Sequence, residues 1–367
     1  LPPGGHPRAW PRNKPSRPAG RGKNDGGFPT PRTVRLVTET IGDVTVGKFG
    51  QLTVQRDLLN RTVNLVVGGG AGADITRSTA QSANGLTITG NVASLQINPV
   101  NGGQLGSDER VKLAQGTINP GTGSVAVATL IANGMLPGWM INATDAQFLT
   151  YTADNGFVNA GFSGNRSGGF GATAVIVPTE RTFISAAASF NGGIAGSIGL
   201  DTYALRIDAS LTFANNTTAV AADRIRVGSG GIIALNAISV VPGIDVGTPK
   251  ELNIYNAGTF TIGAAASSTA SSTAPGTTSV TTGQITNATH IVKQGAGTLV
   301  IDSPQASFAG NYIVNQGSIA FRSASVQANL GTTTATATLA TMNAGTNGLV
   351  VINSFGGQLQ LRSEVAN

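Results

Sequence analysis

A phrase that recurs at a fixed interval constrains a chain more than its composition does, because each copy must make the same local structure and bury it against the next. Here the phrase is Val292-Lys-Gln-Gly-Ala-Gly-Thr-Leu-Val-Ile301. Val314-Asn-Gln-Gly-Ser-Ile-Ala-Phe321 restates it, with Gly317 twenty residues after Gly297, and Ile254-Tyr-Asn-Ala-Gly-Thr-Phe-Thr-Ile262 is a third copy. In each, a glycine corner precedes Thr or Ser and then two apolar residues separated by one other, the period at which a strand buries every second side chain. Short strands and glycine corners repeating about every 20 residues imply an all-β chain wound into a parallel β-helix, or β-solenoid.

The same alternation runs through most of the body. It is seen at Val44-Thr-Val46, Leu52-Thr-Val54, Val63-Asn-Leu65, Leu95-Gln-Ile97, Val111-Lys-Leu113, Val175-Ile-Val177 and Thr182-Phe-Ile184. Leu205, Ile207, Leu211 and Phe213 stand at an offset of twenty from Ile225, Val227, Gly231 and Ile233, which predicts two adjacent turns stacked in register. Taken as solenoid, residues 34–367 give roughly 14–16 turns in one column about 70 Å tall. Two loop insertions are expected. One lies near 130–170, where Trp139, Phe148, Tyr151 and Phe157 suggest an aromatic-bearing excursion or a wider turn of the solenoid; the other is the Ala/Ser/Thr/Gly-rich stretch 264–282.

Composition narrows the chemistry. With no Cys, disulfides, thiolate metal sites and cysteine nucleophiles are excluded. Charged residues are only 11% of the chain and Gly numbers 51, so small hydroxyl and amide side chains must cover much of the surface. An apolar content of 40% in period-2 patterns argues for a folded body. No apolar run approaches the roughly 20 residues of a membrane-spanning helix. The chain opens with no basic segment followed by an apolar stretch, which implies a leader already removed or a piece of a longer protein. Sparse charge, abundant Thr and Asn and no Cys point to secretion.

The net charge of +6 is unevenly placed. Residues 1–35 hold eight basic residues and one acidic residue, for +7; the rest holds 15 basic and 16 acidic residues, for −1. Residues 1–33, rich in Pro, Gly and Arg and without periodicity, are expected to be an extended basic arm. Arg8, Arg12, Lys14, Arg17, Arg21 and Lys23 are its candidate contacts to an anionic partner, such as an acidic surface polysaccharide, or to a neighbouring subunit. A linker without a partner fits the same composition. Nucleic acid is a less fitting partner than either.

The stretch Lys293-Gln-Gly-Ala-Gly297-Thr-Leu, followed by Phe308-Ala-Gly310-Asn-Tyr312 and Val314-Asn-Gln-Gly317-Ser-Ile, resembles the bacterial autotransporter-associated β-strand repeat. Gly310 precedes Tyr312 here, whereas the family has Tyr before Gly. Gly138-Trp139 and Tyr151 with Asn155-Gly-Phe157 are similar to segments of the large passenger-like proteins that carry such repeats. The resemblance implies a right-handed parallel β-helix, export to the bacterial surface, a role in display, adhesion or stalk-building, and no catalytic residues.

A search for chemistry leads to the same expectation of a non-enzyme without cofactor or metal. The only histidines, His6 and His290, are far apart in sequence and make neither a triad nor a metal cluster. Gly69-Gly-Ala-Gly-Ala-Asp74 fits the first half of a calcium nonapeptide, but Thr76 stands where a large apolar residue belongs and no second copy follows. If the turns at 205 and 225 are in register, Arg206 and Arg226 project one strand apart from one face, a candidate contact for an acidic polysaccharide or, at the furthest reach, a lyase site. Three functions remain: a structural solenoid that self-associates through its sheet edges or its arm, an adhesin or glycan-binding passenger module, and a β-helical lyase.

Overall fold

The computed structural model describes residues 35–56, 61–83, 86–90, 92–100, 102–166, 175–190, 198–213, 224–240, 242–263, 283–302, 305, 308–322, 350–352 and 358–362. The arm, residues 1–33, and the 264–282 stretch lie outside them. The described chain is all-β with mostly parallel sheets, and a 3-10 turn at Val127–Leu130 is its one helical element.

The first half visits three sheets in rotation. Arg35–Ile41, Val44–Val46 and Phe49–Val54 make one pass; Arg61–Val67, Ile75–Arg77 and Ser94–Pro99 make the second; Glu109–Leu113, Thr117–Asn119 and Met140–Asn142 make the third. Equivalent strands pair in parallel, for example Val37 beside Val63 and Leu52 beside Ile97. Alternation then decides burial: in Glu109–Leu113 the first, third and fifth residues are buried and the two between are less so. Val46, Val67, Ile75, Leu95, Ile97, Val111 and Ile118 form the core of this half.

The 130–170 region, expected as a loop insertion, contains strands. Met140–Asn142 is followed by Gln147–Thr152 and Gly156–Asn159 in an antiparallel meander. The aromatic residues explain the departure. Tyr151 packs edge-on to Phe157 at 5.1 Å, and its hydroxyl accepts a hydrogen bond of 3.0 Å from Leu113 N. Gly156, at φ +74°, runs so close that a Cβ there would lie 2.1 Å from Val111 O. The meander thus covers an edge strand that would otherwise be open.

The second half alternates between two parallel sheets. The longer holds Val175–Ile184, Ile198–Ile207, Arg224–Val227 with Gly231–Ala234, Gly243–Asn256, Ile285–Gln294, Asn311–Val314 and Val350–Ile352, with Gly164–Arg166 at its start. The shorter holds Ala188–Phe190, Leu211–Phe213, Ile238–Val240, Thr259–Ile262, Thr298–Ile301, Ser318–Arg322 and Gln358–Arg362. The repeated phrase pairs as its spacing predicts: Thr298 lies beside Ser318 and Leu299 beside Ile319, and the Thr298 and Ser318 hydroxyls are 2.7 Å apart. Glycine is required at this corner, because Gly317 has φ +75° and a Cβ on it would sit 2.4 Å from two carbonyl oxygens, those of Gly295 and Gly297.

Two expectations are corrected. Leu205 lies beside Ile232, not Ile225, and Ile225 lies beside Leu200, so the apolar match at an offset of twenty is not the register. Period-2 alternation gives the face of a residue but repeats too often to fix which pairs meet. The described strands also do not form one column. The two halves pack side by side, because the longer sheet is apolar on both faces. Ile232, Ile254, Tyr312 and Val314 join the core of the second half, whereas Ile233 and Tyr255 meet Met135, Ile141 and Phe148 of the first. Ile313 and Val292 likewise meet Val92.

Candidate functional site

Arg8, Arg12, Lys14, Arg17, Arg21 and Lys23 lie outside the described residues. Arg206 and Arg226 are described, and they are not neighbours across strands. Arg206 lies beside Phe183 and Ile233; Arg226 lies beside Asp201 and Asp245. The twin-arginine face expected from the offset of twenty is therefore absent, for the same reason that the register differs.

Arg206 is committed to structure. Its guanidinium pairs with Asp208 at 2.9 Å, donates to Ala146 O at 3.1 Å, and lies 4.8 Å from the centre of the Phe183 ring. It ties the meander of the first half to the second. Arg226 stands between two carboxylates, 3.6 Å from Asp201 and 3.3 Å from Asp245. Burial raises the Asp201 carboxyl above its usual range against the pull of Arg226, and nearby Asp245 adds to the rise. Burial also pushes Asp245 upward, but hydrogen bonds from Asn287 and Gly247 N, with Arg226, outweigh it and hold that carboxyl below the usual range. One cation between two carboxylates leaves a ladder of net −1, a poor match for an acidic polymer.

The glycine-rich corner at 69–74 is held by backbone bonds. Gly70 N and Gly72 N donate to the Asp43 carboxylate at 3.0 and 3.2 Å. Asp74 repeats the device one pass on, accepting from Gln115 N at 2.9 Å and Thr117 N at 3.0 Å. Its other oxygen lies against Gly68, whose φ of +102° and missing Cβ make the room. Asn119 then accepts from Gly121 N and Gly123 N in the third pass. Glu109, fully buried, accepts from Arg56 N and Val100 N. Among the described residues no group of three or more His, Asp or Glu is placed to hold a metal.

Sequence reasoning gave no role to the contact between the halves, where the least ordinary side chains lie. Arg77 is 3% exposed, donates from Nε to Ala93 O at 2.7 Å, pairs with Glu251 at 2.9 Å and stacks 4.8 Å from the Trp139 ring. Burial lowers the pKa of its guanidinium, and Glu251 opposes the change. Asn315 donates to Val92 O and Ser94 Oγ, and Gln96 donates to Gln316 Oε1. Tyr255 OH donates to Ala143 O at 3.3 Å. His290 Nε2 comes close to Gly90, where a Cβ would stand 2.9 Å from it. The signal for Arg77 was available: Ile75-Thr-Arg77 sets a charged residue at the buried phase of a strand.

No family model, curated protein or solved structure matches this chain. A functional reading therefore rests on the geometry and on the repeat phrase.

Proposed function

We propose that this chain is a non-catalytic structural protein: a right-handed β-solenoid of the autotransporter-associated repeat type, exported by a bacterium and held at the cell surface or in the extracellular matrix as a spacer or filament subunit. The observation that carries the reading is the use of its buried polar groups. Asp74, Glu109 and Lys293 bond to the backbone of another pass, as the exposed Asp43 also does, so these charges hold corners in shape. Right-handed winding is the sense that twisted parallel strands favour in their crossovers. Self-association is supported by edge strands at both ends of the described sheets, Arg35–Ile41 and Gln358–Arg362. Leu36 and Ile41, on the first of these, are 58% and 37% exposed.

Negative-stain electron microscopy of the purified chain at several concentrations, with and without residues 1–33, tests the reading. Filaments of constant repeat that weaken on removal of the arm, with unchanged circular dichroism, are expected for the filament form, and discrete uniform particles for the spacer form. Irregular aggregates, or turnover of an acidic polysaccharide by the intact chain, would reject the proposal.

A further inference from the structure

Where the two halves meet there is a cleft of about 220 Å³ whose walls include Arg77, Trp139, Ser229, Lys250, Glu251 and Asn253. Two polar atoms of its lining residues are buried without a partner among the described residues, the donor Arg77 Nη2 and the acceptor Asn253 Oδ1. Arg77 and Asn253 are 3% and 4% exposed, so this is a desolvated wall. A buried donor and a buried acceptor left open are both unfavourable unless something answers them. Among the described lining residues the charge is unbalanced: Arg77 and Lys250 are cationic and Glu251 alone opposes them. Among the described residues Lys250 Nζ reaches one partner, a neutral carbonyl, Gly228 O, at 2.5 Å.

These observations select a ligand class. The net charge of +1 calls for a single negative charge. Arg77 Nη2 requires an acceptor, for which a carboxylate is the matched partner of a guanidinium. Asn253 Oδ1 requires a donor, which a hydroxyl supplies and a sulfate ion cannot. The volume suits one small ring and no more, and Pro120, Pro137 and Trp139 give the walls an apolar component. We propose that the cleft binds one hydroxylated carboxylate of the uronic-acid class, its carboxylate on Arg77 with Lys250 supporting and a hydroxyl donating to Asn253. Because both orphan atoms are closed to solvent, entry includes a small opening of the wall. This goes beyond the structural reading and does not depend on it.

The test is calorimetric titration of the full chain with D-glucuronate, D-glucose and sulfate. Glucuronate is expected to bind at least about tenfold more tightly than either of the others, since losing one charged contact is worth a factor of this order. Arg77→Gln should abolish the preference, and Lys250→Gln should weaken glucuronate by about tenfold with an unchanged circular dichroism spectrum. Glu251→Gln, which removes the competing carboxylate, should tighten it. If Arg77→Gln does not fold, the Lys250 and Glu251 variants decide. Absent glucuronate binding, equal binding of glucose, or affinity unmoved by Lys250→Gln and Glu251→Gln would overturn the proposal.

Discussion

Lys293 should make the stability of this protein rise with pH. Its side chain is fully buried, and its ammonium donates to three neutral carbonyls: Gly295 O at 2.5 Å, Gln316 O at 2.9 Å and Gln294 O at 3.3 Å. Burial lowers its pKa from 10.5 to about 7. Between these two values the unfolded chain binds a proton that the folded chain does not, so stability increases as pH rises through the window and is lost as pH falls. The slope is at most about 1.4 kcal/mol per pH unit, or roughly 4–5 kcal/mol over the whole window; the carbonyl contacts favour the ammonium and reduce it. Burial lowers Lys250 as well, in the same sense, whereas Tyr151, Tyr203, Tyr255 and Tyr312 are raised by burial and pull stability down above about pH 10. Urea unfolding followed by circular dichroism at pH 7, 8 and 9 reads the slope in wild type, Lys293→Met and Lys250→Met. Wild type should gain stability at each step, and Lys293→Met should lose most of that gain whatever its absolute stability. A flat wild-type profile, or a full slope in Lys293→Met, would refute the assignment.

Other perturbations test the corners and the contact between halves. Gly317→Ala, which puts a Cβ into two carbonyls at positive φ, should cost about 2–4 kcal/mol in thermal or urea unfolding; a neutral effect would mean the corner can open. Asp74→Ala removes the acceptor for Gln115 N and Thr117 N and should cost about 2–4 kcal/mol, with Asp74→Asn recovering part of it. Ile313→Asp, which buries a carboxylate against Val92, should split a shared transition: with Trp10 replaced by Phe, Trp139 fluorescence reports the first half and circular dichroism reports both. Coincident transitions in the variant would show that the halves are coupled by other contacts.

The strands and their faces were legible in the sequence, and so was the register wherever the phrase was long. Thr298-Leu-Val-Ile301 and Ser318-Ile-Ala-Phe321 carry a corner as well as an alternation, and the corner fixes the pairing. Leu205 and Ile225 offered alternation alone, and the pairing inferred from it failed, taking the Arg206–Arg226 face with it. The observed partners are 27 residues apart for Leu205 and Ile232 (232 − 205) and 25 apart for Leu200 and Ile225 (225 − 200), spacings that an apolar match at twenty cannot reveal. Neither Arg77 nor the Lys293 side chain was given a role by the sequence reading. Both stand in buried runs, and a charged residue at the buried phase of a strand is informative.

The side-by-side packing was also written in the chain, in a form that period-2 reasoning discards. Ile232-Ile-Ala234, Ile291-Val292 and Tyr312-Ile-Val314 are apolar at successive positions. A strand with one wet face alternates, whereas a parallel strand covered on both faces reads as a continuous apolar run. One face of the longer sheet supplies the core of its own half, and the first half covers the other through Met135, Ile141, Phe148 and Val92. Lateral packing changes what the chain can do. A lone stack offers corners and edges to a partner, but two stacks enclose a boundary between them, and it is there that Arg77, Lys250, Glu251 and Asn253 are brought together from strands distant in sequence. A site of that kind needs both halves, so Ile313→Asp should weaken glucuronate binding at the cleft even though Ile313 is not among its lining residues.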